Sequence, residues 1–275
     1  MWTKGPVVIV DGNNIAWRSF HAMRGTDLSV GGVKTGMMYQ VMMTICQIHE
    51  RWQTTKLIWC FDGPESIRKR LSSDYKANRK PTDDQTAAMR TEAYAQIDRL
   101  RLEVLPALGY RNIFHTEGYE ADDLIARAAQ NYDEVVIVSN DQDLYQVLSE
   151  TTKIWNLKEV KTLEWYTSTF KLLPNEWIQV KAIAGCSSDN IIGVRGVGEQ
   201  TAVKFLQGNL GGKKADAIVE FIKTDQYKLN RRLVKLPLKG CPEFEQVGNI
   251  LTNRRWAEVC GQWRMDSLRH RNYGL

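Results

Sequence analysis

The sequence predicts an α/β fold: a central, mostly parallel sheet with helices on both faces. Three observations lead there. Three short apolar runs have the length of a strand: Val7-Val8-Ile9-Val10, Leu57-Ile58-Trp59-Cys60-Phe61 and Val135-Val136-Ile137-Val138. Each is apolar throughout rather than alternating, as expected for a strand covered on both faces. Helical periodicities over 35–52, 83–108 and 120–130 separate them, and strand-helix-strand alternation builds a parallel sheet.

Taken in order, the first run leads directly into Asp11. The helix over 35–52 carries Met37, Met38, Val41, Met42, Ile45 and Ile48 at helical spacing, a stripe suited to core packing. The second run leads into Asp62. Between Pro64 and Pro81 lie Arg68, Lys69, Arg70, Lys76, Arg79 and Lys80 against Glu65 and Asp74. A solvated loop and a polyanion-binding segment both fit that run. The stretch Gly-Tyr-Glu-Ala-Asp-Asp-Leu-Ile-Ala-Arg-Ala-Ala at 118–129 puts Ala121, Leu124, Ile125 and Ala128 on one helix face. Its start holds Glu120, Asp122 and Asp123. One acid there complements the helix dipole; three within four positions repel one another. The third run leads through Ser139 and Asn140 to Asp141, with Asp143 two residues on.

Ligands of such sheets bind beyond the carboxyl ends of the strands. All three predicted strands deliver a carboxylate to that edge. A single strand-end Asp is commonly a helix cap or turn former; three of them plus an acidic helix start exceed what capping needs. Oxygen-only ligands of high negative charge suit Mg²⁺ or Mn²⁺. So many carboxylates can hold two ions, roughly 4 Å apart, that activate water and steady the leaving oxygen of a phosphodiester.

Composition narrows the alternatives. The chain has 275 residues, 43% of them hydrophobic, and a net charge of +5. That length supports a substantial core, and the mild positive charge leans towards a polyanionic partner. No apolar run reaches membrane-spanning length, and the N-terminus lacks a signal-peptide layout. The five cysteines are odd in number, scattered and without a CxxC pair, which reads as reduced thiols of a cytosolic protein. The four histidines are equally dispersed, and without a Cys/His cluster a zinc site is not expected. Neither His21 nor His115 has a sequence partner that marks it as catalytic.

Residues 185–206 read Gly-Cys-Ser-Ser-Asp-Asn-Ile-Ile-Gly-Val-Arg-Gly-Val-Gly-Glu-Gln-Thr-Ala-Val-Lys-Phe-Leu. Gly193, Gly196 and Gly198 form a turn, and a helix follows from Glu199 with Ala202, Val203 and Leu206 on one face. Glycines let backbone amides approach a phosphate, and a helix N-terminus adds a favourable dipole. This is the helix-hairpin-helix pattern of non-specific DNA binders; a glycine-rich connection between packed helices is the plainer alternative. Asp189, just upstream, is one more carboxylate for the acidic edge. Neither a dinucleotide-binding GxGxxG after the first strand nor a P-loop is present.

The series VDGNN, FDGPESIRKRLSSDYKANRK, GYEADDLIA, SNDQDLYQVL and SDNIIGVRGVGEQTA resembles the 5′-nuclease (flap endonuclease) family, from about Val7 to Leu206. That family includes the N-terminal domain of bacterial DNA polymerase I and stand-alone bacteriophage enzymes, and the latter are the nearer resemblance. The resemblance implies a PIN-like nuclease core over 1–175 with a helical arch at about 63–105. It implies a helical DNA-binding region over 176–275, with a helix-three-turn-helix at about 178–207. It places a first Mg²⁺ near Asp11, Asp62, Glu120, Asp122 and Asp141, and a second towards Asp123, Asp143 and Asp189, with Mn²⁺ able to substitute. Lys76 and Arg79 match arch residues that contact the scissile phosphate, Tyr75 a group that stacks on an unpaired base. Arg68 and Lys69 belong to the same basic arch. Gly193, Arg195, Gly196, Gly198 and Lys204 fall in the turn that grips duplex phosphates and often binds K⁺.

One position departs from the family. Asp-x-x-Asp is usual where this chain has Cys186-Ser187-Ser188-Asp189, and a thiol is a poor ligand for a hard cation. A weaker second metal site is the consequence, with an altered balance of exonucleolytic and endonucleolytic cutting. The basic patch from Lys228 to Lys239 matches the family less well and fits either a DNA path or solvated surface. The expected protein is a metal-dependent, structure-selective 5′-3′ exonuclease or flap endonuclease, monomeric and cytoplasmic (the host's cytoplasm if phage-encoded). Its expected partners are duplex DNA bearing a 5′ flap or RNA primer, and replication proteins such as a single-strand-binding protein. The alternatives are a PIN-like ribonuclease and an inactive DNA-binding protein of the same fold.

Overall fold

The structure, a computed structural model, describes residues 5–270. Its centre is a six-stranded sheet in the order β5-β4-β1-β6-β7-β8. These strands are β1 (Val7–Asp11), β4 (Leu57–Phe61), β5 (Ile113–His115), β6 (Val135–Val138), β7 (Thr152–Trp155) and β8 (Val160–Lys161). Neighbours pair in parallel except β7 with β8. A small hairpin of β2 (Ser29–Val30) and β3 (Val33–Lys34) stands apart. The three expected strands are the adjacent central ones, and every residue in them is buried, which is why their apolar runs do not alternate.

Alternate residues of β1 feed two cores. Val8 and Val10 face α1 (Gly12–Ala22), α2 (Gly36–Trp52) and the helical run α4 (Asp84–Arg99) to α5 (Leu105–Leu108). The methionine stripe of α2 lies in this core, with Met38 and Met42 fully buried. Val7 and Ile9 face α6 (Ala121–Ala129), α8 (Trp177–Ala184), α9 (Glu199–Leu206) and α11 (Asp225–Val234). The helix expected over 83–108 is present, with a π-helical turn at Leu100–Val104 joining α4 to α5. That turn accommodates Pro106 in the first turn of α5, where a missing N–H costs nothing.

The C-terminal third wraps both faces. α7 (Leu163–Phe170), α10 (Lys213–Phe221) and α11 stay with the second core, whereas α12 (Asn253–Gln262) and α13 (Asp266–Arg269) return to the first through Trp256, Val259 and Leu268. The connection runs along the β5 edge: Asn249 donates to the Thr55 and Leu57 carbonyls, and Asn112 to that of Val247. Among the described residues no helix is long and apolar enough to cross a membrane.

Candidate active site

Because β4, β1 and β6 are adjacent and parallel, their carboxyl ends bring Asp62, Asp11 and Asp141 to one edge. Helix α6 starts at that edge, where the Ala121 N–H donates to Asp62 Oδ1 at 2.9 Å, so Glu120 and Asp122 arrive beside them. A cavity of about 360 Å³ is lined by Asp11, Asp62, Glu120, Asp122, Asp141, Asp143 and Asp189. Local hydrogen bonds aim these groups. Asp11 accepts from the Asn14 N–H at 3.0 Å and from Ser139 Oγ at 2.7 Å. Asp141 accepts from the Asp143 N–H at 2.8 Å.

The crowding is electrostatically expensive. Burial, then repulsion from Asp62 and Asp141, pushes the Asp11 carboxyl up to about 7. Burial and Asp143 push Asp141 up to about 6. Asp122 is driven well above the usual range by burial and by Asp141, Asp11, Asp143 and Asp62.

Three cations contact the cluster at 2.8 Å or less, and Arg68 Nη1 lies 3.8 Å from Glu120 Oε2. Lys76 Nζ lies 2.8 Å from Glu120 Oε2, Arg79 Nη2 lies 2.5 Å from Asp189 Oδ1, and Lys181 Nζ lies 2.8 Å from Asp143 Oδ1. Lys76 and Arg79 sit on a strap, residues 74–79, docked on the turn at 187–190. The Lys76 N–H donates to the Asp189 carbonyl at 2.8 Å, Asn78 to that of Ser187, and Asn190 to that of Asp74. Lys76 holds a left-handed φ of 55° to make this turn.

The family model for the 5′-3′ exonuclease N-terminal, resolvase-like domain matches residues 6–173. The chain belongs to the 5′-3′ exonuclease family. It is similar to the 5′-3′ exonuclease of Bacillus subtilis (strain 168), 33% identical over 214 residues, covering 73% of this chain and 69% of that one. It is 32% identical to the thermostable DNA polymerase I of Thermus aquaticus over 209 residues, 74% of this chain. The match spans only 24% of that polymerase, so the chain corresponds to about a quarter of such relatives. In fold it resembles the T5 D15 protein co-crystallised with metal ions, with a TM-score of 0.68 at 20% identity, covering 94% of this chain and 97% of that one.

Within this 5′-3′ exonuclease fold, Asp11, Asp62, Glu120, Asp122, Asp141, Asp143 and Asp189 gather as expected, with Lys76 and Arg79 above them. Asp123 does not join them. It is fully buried, receives both Arg68 Nη1 and Nη2 at 2.5 and 2.9 Å, and accepts from the Leu238 N–H at 2.7 Å. With its oxygens so occupied, the expected ligand is a structural carboxylate. The same pair corrects Arg68, expected on a DNA-binding surface: it is 2% exposed and also donates to the Leu233 carbonyl. Tyr75, expected to stack on a base, is 4% exposed and donates its hydroxyl to Glu120 at 2.9 Å. Lys69 is exposed. Cys186 is absent from the cavity lining, and its thiol lies 3.1 Å from Ser188 Oγ.

The glycine turn joins α8 to α9 beyond the hairpin of β9 (Gly185–Cys186) and β10 (Ile191–Ile192). Gly196 has a φ of 73°, and Gly196 and Gly198 face open space. Gly193 has a different role: a Cβ there would run into the Ala184 backbone at 2.3 Å, so it permits close packing. Arg195 and Lys204 are exposed on the turn and on α9.

Sequence reasoning missed four groups. Trp17, Arg18 and Tyr94 line the cavity, with Trp17 and Tyr94 in edge contact at 5.5 Å. Trp17 stands three residues after Asn14, another lining residue of α1, a same-face spacing that marks it only once α1 is known to follow β1 directly. Lys181 had no local signal at all.

The cluster offers a metal carboxylate donors only. Its oxygens are of one kind, and among the described residues Asp11, Asp62, Asp122 and Asp141 have no ion-pair partner. Such uncompensated carboxylates fit hard divalent cations. Among the described residues no three His, Cys, Asp or Glu side chains are drawn onto one metal-holding point.

Proposed function

We propose that this chain is a metal-dependent, structure-selective 5′-3′ exonuclease and flap endonuclease. It would hydrolyse phosphodiesters next to a single-strand/duplex junction and remove RNA primers and flaps in replication. The observation that carries the reading is four uncompensated carboxylates on one sheet edge, facing a strap that bears Lys76 and Arg79.

Asp11, Asp62, Glu120, Asp122 and Asp141, with Asp143 and Asp189 beside them, would hold two Mg²⁺ ions, for which Mn²⁺ substitutes. Bound there, the ions would lower the pKa of attacking water and stabilise charge on the phosphate. The chain's own groups do the rest. An incoming phosphodiester competes with Glu120 for the Lys76 ammonium and with Asp189 for the Arg79 guanidinium, placing both cations on the developing charge. The amides around Gly196 and Gly198, with Arg195 and Lys204, grip phosphates of the duplex away from the cut. Carbonyls of that turn would take K⁺. Trp17 and Tyr94 offer faces on which unpaired bases stack. Exposed Lys228, Arg231, Arg232, Lys235 and Lys239 extend the phosphate path. The chain would work as a monomer in the cytoplasm, alongside a single-strand-binding protein.

The test is a Mg²⁺-titrated assay on a 5′-labelled flap, a nicked duplex and single-stranded RNA in parallel. Cutting of the flap near its junction, absent without divalent metal, is expected. Preference for single-stranded RNA would instead make this a PIN-like ribonuclease. Duplex binding without cleavage in Mg²⁺ or Mn²⁺ would make it an inactive DNA-binding protein.

A further inference from the structure

Lys181 projects from α8 and is only 7% exposed. Its ammonium is shared: 2.8 Å from Asp143 Oδ1 in the acid cluster, and 2.9 Å from Glu199 Oε1 at the start of α9. A charge count divides the cluster in two. Glu120, Asp189 and Asp143 each have a cation of the chain's own: Lys76, Arg79 and Lys181. Among the described residues Asp11, Asp62, Asp122 and Asp141 have no ion-pair partner. One half of the cluster therefore calls for outside charge, and the other half is already supplied.

We propose that Lys181 is a resident counter-ion that holds the place of a divalent cation at Asp143, and that Glu199 sets how firmly it does so. A cation approaching Asp143 meets a like charge at contact distance. To bind, it must send the ammonium over to Glu199, the second anchor already in reach. Lys181 is thus a positioning residue that tunes divalent occupancy on the Asp143 side. This inference rests on the metal-dependent reading above.

The test uses chelator-stripped, DNA-free protein titrated with Mn²⁺, free ion being followed by electron paramagnetic resonance. Wild type is expected to show a tighter and a weaker class of site. Lys181→Met should tighten the weaker class about tenfold or more by removing the like charge. Lys181→Gln should do the same, and Lys181→Arg should keep wild-type behaviour. Glu199→Gln should loosen that class, since Lys181 is then left to Asp143 alone. The double variant Lys181→Met/Glu199→Gln should match Lys181→Met, because Glu199 acts only through Lys181. Melting curves identify any variant that fails to fold, and the remaining neutral variant then decides. Unchanged or weaker Mn²⁺ binding in a folded neutral variant overturns the role of Lys181 while leaving the nuclease reading intact. A wild type that takes up no Mn²⁺ overturns both.

Discussion

Arg79 Nη2 lies 2.5 Å from Asp189 Oδ1, and its Nε donates to the Ser188 carbonyl at 3.0 Å. One guanidinium thus joins the strap to the 187–190 turn, just upstream of the glycine turn. The Arg79 side chain is 50% exposed, so solvent screens the pair and its loss should cost only about 0–1 kcal/mol of stability. Lys76 is more enclosed and faces Glu120. If both cations act on the reacting phosphate, Lys76→Ala and Arg79→Ala should lower the single-turnover rate far more than flap affinity, the signature of an interaction made mainly in the transition state. Arg195→Ala and Lys204→Ala should do the reverse, weakening duplex binding and flattening its salt dependence. Single-turnover kinetics with parallel binding titrations check this; equal losses of rate and affinity at Lys76 would refute it.

The acid cluster should make metal-free stability fall as pH rises. The Asp11 and Asp141 carboxyls sit near 7 and 6 in the folded protein against an ordinary 3.8. A raised pKa means the folded state binds protons more tightly than the unfolded chain. Between about pH 4 and 7 the folded state therefore holds more protons, and the free energy of unfolding declines across that window. The melting temperature without metal should drop from about pH 5 to about pH 8, and saturating Mg²⁺ should flatten the slope. Asp122→Asn should nearly abolish cleavage yet raise the metal-free melting temperature at the alkaline end. A large loss of stability in Asp122→Asn would mean that the cluster is a structural network.

Arg68 and Asp123 should behave in the opposite way. Their pair is buried and ties α3 (Ile67–Leu71) to α6 and to the backbone at Leu233 and Leu238. Removing one partner strands the other without solvent, a loss of about 3–5 kcal/mol. Arg68→Ala and Asp123→Ala should therefore melt markedly earlier, while protein still folded at low temperature keeps the wild-type Mg²⁺ dependence. Denaturation curves with Mg²⁺ titrations distinguish this from a ligand role, which would shift the titration and spare stability.

The contrast between Asp122 and Asp123 shows what the sequence can carry. β1, β4 and β6 were legible because full burial leaves an unbroken apolar run, and their terminal acids followed from the parallel order. Consecutive residues on a helix point about 100° apart, so one of two neighbouring aspartates reaches the cavity and the other the core. Which does so depends on Arg68, 55 residues away, whose burial no local pattern announces. Lys181 was illegible for the same reason, since its partners Asp143 and Glu199 belong to different elements. Strands β7 and β8 escaped notice because neither is an unbroken apolar run: Lys153 interrupts Thr152-Lys153-Ile154-Trp155, and β8, at the edge of the sheet, is only two residues long. The glycine turn was legible as a unit, but not the split between Gly193, which packs, and Gly196, which needs its left-handed φ.

Cys186 yields the last prediction, from the position where the family resemblance leads one to expect an aspartate. The thiol is half-buried on β9, three residues before Asp189, and lies 3.1 Å from Ser188 Oγ. Cys186→Asp would put a hard oxygen donor and a negative charge into the turn on which Arg79 rests. Two consequences push the same way. The new carboxylate competes with Asp189 for the Arg79 guanidinium, and a freed Asp189 is a better partner for a divalent cation. The half-saturating Mg²⁺ concentration should fall, and endonucleolytic products should gain on exonucleolytic ones. Cys186→Ser, similar in size and uncharged, should change little. If Cys186 instead serves only as a small packing residue, the aspartate lowers stability by roughly 1–3 kcal/mol, the cost of an unpaired buried polar group, and leaves metal dependence alone. Mg²⁺ titrations of wild type and both variants, read beside melting curves, separate the two; a lower melting temperature with an unshifted titration sinks the metal-site explanation.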